Sequence, residues 1–403
     1  MPRPETKAGR HWLWLILALA LVLRLGYVWA QTEHQLFRVA LVAPDSMRYL
    51  ALADNIRKHG FYSYDGREPT AADMPAYPLF LATVRSLWEQ SHLPLYLIQA
   101  LISTATVALV YVLGCRCFSV RAGLWASFLA AVYPLGYIFA ASPLSEVLYT
   151  FLIILFLVLY QWAQEGALWA LAAGISAGAA VLTRPVIAGF VVLVCLALLT
   201  RPGRRKAAVC LGMGMLLMLL PWAARNASTL GEFIPLSTRA GFELYLGNAP
   251  GATGGSGGHL IWGTDVTLPP PPPTGMRPTA WSRELASRVG QYLLQNPGHF
   301  FRRLPHKVYN MWRPTWAGAS LRNWLLVGGI YLLIMGLALF CLARRQCARK
   351  GLFLWAFVLY HVAVHALIFG IIRYRIPVEP ALCVLAGAGL AQLRIRGKES
   401  QPG

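Results

Sequence analysis

Asp45 is the first residue whose type and place could do chemistry. It stands in Pro44-Asp45-Ser46-Met47-Arg48-Tyr49, soon after the first long apolar stretch. The segment from Ser46 to His59 reads as a helix ended by Gly60, with Asp45 at its N-terminus and Arg48 on the same face. The helix dipole favours the ionised carboxylate there, and a carboxylate held ionised at headgroup depth suits a general base. A simple helix cap is the competing reading, because Asp is a favoured capping residue; position alone leaves both open. Asp73 is a second acid of the same loop. Glu146 begins a later apolar stretch, where it either complements a helix dipole or adds an acid to an active site. His361 and His365 are four apart and share a helix face. That spacing can bind zinc, yet no third or fourth ligand is evident and the glutamate of a metalloprotease motif is missing. A hydrogen-bonded structural role is favoured for the pair, with His365 nearer the outer side and able to line a pocket. Gly247-Asn248-Ala249-Pro250 does not fit the spacing of a phosphate loop.

The elements that must position these residues are membrane helices. Hydrophobic residues make up 57% of the 403, and charged residues only 13%, about half the charged share of a soluble domain. The apolar excess falls into blocks of about 17–22 residues, each long enough to cross a bilayer core as a helix. About ten such spans are expected, near 12–30, 94–113, 122–141, 145–163, 167–182, 185–200, 207–223, 321–342, 351–370 and 376–393. With the N-terminus inside, the clusters Arg116/Arg121, Arg201–Lys206, Arg344–Lys350 and Arg394–Lys398 all fall on the inner side. The formal charge of +20 is therefore that of loops beside anionic lipid, and nucleic acid is not an expected partner. The seven cysteines lie in apolar blocks or inner loops, so no disulfide framework is expected. Arg24 lies within the first span, where a charge costs at least roughly 2.5–3.5 kcal/mol unless it faces the bundle or snorkels. An ion pair and a substrate role are equally open for it.

This threading divides the chain into 1–223, carrying spans one to seven and a first periplasmic loop over 31–93; a large periplasmic loop over 224–320; and 321–403, carrying three spans and a cytoplasmic tail. The first loop should carry a second helix from near Pro78 to Glu89. The large loop holds a glycine-rich stretch at 251–258 and a proline run at 269–273. It then holds an amphipathic helix from Thr279 to Gln295, closed by Asn296-Pro297-Gly298. Arg373 and Arg375 flank Tyr374 on the outer side, against the positive-inside trend. They either anchor the last span to headgroups or shape a pocket.

Pro44-Asp45-x-x-Arg48-Tyr49 after the first span resembles the first-loop motif of the GT-C glycosyltransferases. The branch is that of protein O-mannosyltransferases and the aminoarabinose transferase of lipid A. The resemblance continues through Asp73-x-Pro75-x-Tyr77-Pro78, Thr183-Arg184-Pro185, Pro221-Trp222-x-x-Arg225-Asn226, Asn296-Pro297 with Lys307 and Trp312-Arg313-Pro314, and Arg373-Tyr374-Arg375-x-Pro377-x-x-Pro380. It implies an all-α polytopic fold in a bacterial inner membrane, with an active site facing the periplasm. It further implies inverting transfer from a polyprenyl-phosphate sugar to a lipid, glycan or protein acceptor. Asp45 would be the catalytic base. Arg48, Tyr49, Asp73 and Glu146 would contact acceptor or sugar, and Arg373, Arg375 and Arg184 the donor phosphate. Where the aminoarabinose branch carries a lysine after the second acid, this chain has Met74, which shifts the phosphate role to arginines. A divalent cation between Asp45 and Glu146 is possible, although two carboxylates are a thin shell. The alternative function is a transporter or flippase of lipid-linked sugars, which needs outer arginines but no base.

Overall fold

Long runs of Leu, Ala and Val leave the backbone no partner in lipid except itself, so the chain folds into helices. The computed structural model describes residues 7–34, 44–88, 91–163, 165–252, 269–316 and 318–393. The glycine-rich residues 253–258 and the basic residues Arg394, Arg396 and Lys398 lie outside these. Among the described residues every regular element is a helix, apart from an isolated bridge between Ser63 and Pro69.

Five helices are long and apolar enough to cross a membrane: Gly9–Gln31, Leu93–Cys117, Arg205–Leu230, Leu321–Ala343 and Arg345–Leu367. Val120–Val132 and Pro134–Ala141, bent by 61° at the break, together make a sixth. Pro134 follows that break, and the residue before a proline is kept out of helical geometry. Four shorter apolar helices, Glu146–Trp162, Ala167–Thr183, Pro185–Leu199 and Glu379–Leu393, occupy the remaining stretches. A helix of 17 residues reaches about 25 Å, just short of a hydrocarbon core of roughly 30 Å. The chain is a multi-pass membrane protein.

Small residues let these helices approach closely. A Cβ on Gly174 would lie 2.1 Å from the carbonyl oxygen of Leu211, so Ala167–Thr183 and Arg205–Leu230 meet backbone to backbone. Glu379–Leu393, rich in Ala and Gly, is buried almost throughout and packs against Val120–Val132 and Ile330–Ala343. Arg24 is buried in the first helix. It donates to Ser103 Oγ at 2.8 Å and to the carbonyls of Ala20 and Ala131. These are structural, neutral partners.

The first loop forms the helices Pro44–His59 and Ala76–Leu87. The earlier one ends at Gly60, whose φ of +73° favours glycine. In the large loop the amphipathic helix runs Pro278–Gln295 and buries Leu285 and Val289. Two helices there are additional to the sequence reading. Ala240–Asn248 follows the long seventh span, and Pro297 starts the helix Pro297–Trp312. A proline at the first position of a helix begins it as readily as one beyond a helix ends it. One further expectation is corrected: Cys341 and Cys347 are joined in a disulfide. They lie either side of the single-residue break at Arg344, with Cα atoms 5.3 Å apart.

Candidate active site

Helix-end positions and short turns carry the polar cluster. Asp45 stands in the first turn of Pro44–His59, and Arg57, Lys58 and His59 in the last, both matched to the dipole. Asp45 Oδ1 accepts from Arg48 Nη2 at 2.6 Å, and Oδ2 accepts from Arg373 Nη1 at 2.6 Å. Arg48 Nε in turn donates to Asp73 Oδ2 at 2.9 Å, which also accepts from the Tyr64 hydroxyl at 2.6 Å. On the other side, Arg373 Nε and Arg184 Nη2 both donate to Glu146 Oε1, and Arg184 Nε donates to Ser145 Oγ at 2.8 Å. Acids and guanidinium groups thus alternate in one chain: Asp73, Arg48, Asp45, Arg373, Glu146, Arg184. Its charges sum to zero.

The chain runs along the wall of a cavity of about 990 Å³. Asp45, Arg48, Tyr49, Asp73, Arg184 and Arg373 all line it. Asp45 lies deep in the fold yet keeps 30% side-chain exposure, because what it faces is the cavity. Burial alone would raise its proton affinity; Arg373, then Arg48, Arg184 and Arg239, outweigh that and hold the carboxyl well below the ordinary range. Burial lowers the Arg373 guanidinium, but Glu146 and Asp45 more than restore it, so it stays charged. Burial and then Asp73 push the Tyr64 phenol well above its usual value.

Two expected site residues take other places. Glu146 is fully buried behind Arg184 and Arg373, beneath the cavity wall rather than on it. Its Oε2 is unpartnered among the described residues. Glu146 also lines a separate cavity of about 50 Å³, with Arg24, Thr150 and Glu379, large enough for ordered water. Arg375 does not line the large cavity. It bonds Glu379 Oε1 at 2.7 Å and the carbonyls of Arg313 and Pro314, and its guanidinium lies 3.8 Å over the Tyr331 ring. Residues two apart in the 3-10 turn Ile372–Arg375 point in different directions. Arg373 therefore faces the cavity while Arg375 clasps the end of the large loop.

Sequence reasoning missed Arg239, Glu243 and Tyr64. Arg239 lies 3.8 Å from Asp73 Oδ1 and bonds Glu243 Oε1 at 3.0 Å, on the cavity wall built by Ala240–Asn248. The available signal was the four-residue spacing of Arg239 and Glu243. That wall is pinned by Gly247, where a Cβ would meet the Ile368 carbonyl oxygen at 1.9 Å, and by Asn248. Asn248 Nδ2 donates to Leu367 O at 2.9 Å, and its Oδ1 accepts from Lys307 Nζ at 2.7 Å. The motif residues Trp222, Arg225 and Asn226 are also staples. Arg225 donates to Thr70 O at 2.7 Å and to Tyr62 O at 3.2 Å, tying the first loop to the seventh span. His361 and His365 both line the cavity, ring centroids 6.1 Å apart.

The residues present do not fit a metal. Arg373 bridges Asp45 and Glu146, the pair considered for a cation. Among the described residues no group of three His, Cys, Asp or Glu side chains converges.

The chain matches the family described as dolichyl-phosphate-mannose-protein mannosyltransferase over residues 69–224. That span includes Asp73, Glu146 and Arg184 but neither Asp45 nor Arg373. No curated protein matches the chain by sequence. Among solved structures, the Archaeoglobus fulgidus oligosaccharyltransferase in its apo form is similar at a TM-score of 0.59 and 15% identity, covering 98% of this chain and 52% of that one. The oligosaccharyltransferase AglB from Archaeoglobus fulgidus, in complex with an inhibitory peptide and a dolichol-phosphate, is similar at 0.55 and 15% identity, covering 98% and 52%. ArnT from Cupriavidus metallidurans bound to undecaprenyl phosphate is similar at 0.52 and 18% identity, covering 96% and 61%. The chain thus spans about half the length of the first enzyme. Over nearly all of its length this chain shares the fold of these two membrane enzymes.

Proposed function

We propose that the protein is a membrane glycosyltransferase that moves a sugar from a polyprenyl-phosphate carrier to an acceptor on the periplasmic side, with inversion. The observation that carries this reading is a single carboxylate, Asp45, held between Arg48 and Arg373 on the wall of a large cavity. The acceptor hydroxyl oxygen forms a bond to the anomeric carbon as its proton passes to Asp45. The bond from that carbon to the phosphate oxygen breaks, and the electron pair leaves with the polyprenyl phosphate. That leaving group is a weak base at neutral pH, so it needs charge stabilisation rather than an acid. Arg184 and Arg373 supply it, and the planar guanidinium can bond two phosphate oxygens at once.

The ligand-free network is neutral, which gives binding a definite consequence. A donor phosphate must compete with Asp45 and Glu146 for the same guanidinium groups. When it takes Arg373, Asp45 loses its largest opposing charge and becomes a better base. Glu146 stays behind both arginines and aims them. Asp73 and Tyr64 do the same for Arg48.

The test offers the purified protein labelled undecaprenyl-phosphate hexoses and pentoses in membranes, with membrane lipids and peptides as acceptors, and follows release of undecaprenyl phosphate. Release dependent on an added acceptor supports the reading. Movement of the labelled lipid across the bilayer without release supports a flippase and overturns it.

A further inference from the structure

Uncharged polar side chains also line the cavity. The C-terminal part of Arg345–Leu367 meets the Ile372–Arg375 turn, and His361, His365 and Tyr374 line the wall there. His361 and His365 are 1% and 6% exposed. Among the described residues, neither ring nitrogen of His361 is paired, and His365 Nδ1 is unpaired as well. The Phe357 carbonyl one turn back approaches the His361 ring without reaching hydrogen-bond geometry. His365 lies flat on Tyr374, ring centroids 4.3 Å apart and planes at 19°. The Phe357 ring packs edge-on against His361 at 4.6 Å. Both imidazoles are therefore held by ring contacts while these three nitrogens go unpaired among the described residues.

Leaving a buried polar group unpaired is destabilising, so such atoms await a partner. The chemistry of that partner can be narrowed. A neutral imidazole offers one donor and one acceptor, which matches a hydroxyl group, itself both. A phosphate only accepts, and the cationic wall already serves it. An isoprenoid tail has no polar atom and would leave all three nitrogens unsatisfied. Tyr374 follows Arg373 directly, and the Arg184 guanidinium lies over the Tyr149 ring at 5.9 Å. The two histidines and Tyr374 thus share one cavity wall with Arg373 and Arg184.

Resting on the donor reading above, we propose that His361 and His365 bind the hydroxyl groups of the donor's sugar ring, with Tyr374 as its aromatic wall. These two histidines are then the residues that distinguish a sugar-bearing carrier from the bare carrier.

The experiment measures binding to the full chain in lipid nanodiscs. The probes are undecaprenyl phosphate and undecaprenyl phosphates bearing a panel of hexoses and pentoses. Wild-type protein should bind the best sugar-bearing probe at least about tenfold more tightly than bare undecaprenyl phosphate. The double variant His361→Phe/His365→Phe should bind the two equally, with its affinity for the bare carrier unchanged. Discrimination that survives in the variant overturns the proposal. So does an equal loss of both probes, and so does a wild-type protein that never discriminates. Binding of neither probe by wild-type protein instead sinks the donor reading beneath it. A measurement on unmutated protein covers the case of a misfolded variant. Carbethoxylation of His361 and His365, read by mass spectrometry, should be blocked by the sugar-bearing probe and not by undecaprenyl phosphate. Equal protection by both overturns the proposal.

Discussion

A carboxylate gripped by two guanidinium groups is a poor proton acceptor, since each cation lowers its affinity for the proton. Asp45 is in that state without ligand. The proposed competition of a donor phosphate for Arg373 would resolve the difficulty, and it has a kinetic signature. The acid limb of kcat/KM reports the free protein and should lie below the ordinary carboxylate range. The acid limb of kcat reports the donor complex and should lie at higher pH, because Arg373 has turned to the phosphate. Coincident limbs in a pH series would show that the donor leaves Asp45 gripped. The sign for stability follows from the same lowered pKa. The grip stabilises the fold at neutral pH, and that contribution is lost as pH falls through the carboxylate range and below it. Arg375 gives an opposite expectation. Arg375→Ala removes one partner of a fully buried pair, so it should cost about 3–5 kcal/mol of stability. In thermal melts it should unfold early, while the folded fraction keeps its donor KM. Asp45 with Arg48 was legible because the spacing is local. The different directions of Arg373 and Arg375 were not, because the carbonyls that hold Arg375 belong to Arg313 and Pro314, some sixty residues away in sequence.

Apolar runs in the sequence marked the helices that build the bundle, and length alone separates the five long ones from the four short ones. The cavity wall was not legible in the same way. Ala240–Asn248 has no charge pattern beyond Arg239 and Glu243, and its place depends on the close pass of Gly247 over Ile368. Pro297 was read as a terminator and proves to be a first helical residue. These elements carry their own test. Gly247→Val forces side-chain atoms into the Ile368 carbonyl, so it should destabilise by about 1–3 kcal/mol or more and weaken donor binding. Gly290→Ala, on the open face of Pro278–Gln295, should stabilise slightly, by about 0.5–1 kcal/mol, and leave binding alone. Matched thermal melts and donor titrations check both. Equal effects from the two glycines would show that the wall is not pinned where Gly247 crosses it.

Across the whole molecule, the distribution of Arg and Lys sets the expected orientation, with 44–88 and 269–316 outside. The Cys341–Cys347 disulfide lies at a basic turn assigned to the inner side, where thiols are kept reduced. Alkaline phosphatase fused after Gly275 should be active, and fused after Gly203 or Lys350 inactive. Activity of the Lys350 fusion would place the disulfide outside and reverse that part of the threading. The most direct measurement of the central claim is a single turnover with a labelled undecaprenyl-phosphate sugar accepted by the wild-type protein. Asp45→Asn should bind that donor at least as tightly, because the charge competing with the phosphate for Arg373 at position 45 is gone. It should release undecaprenyl phosphate at least about 100-fold more slowly. A variant that turns over within about threefold of wild type would show that the acceptor proton goes elsewhere, and that the carboxylate between Arg48 and Arg373 is not the base.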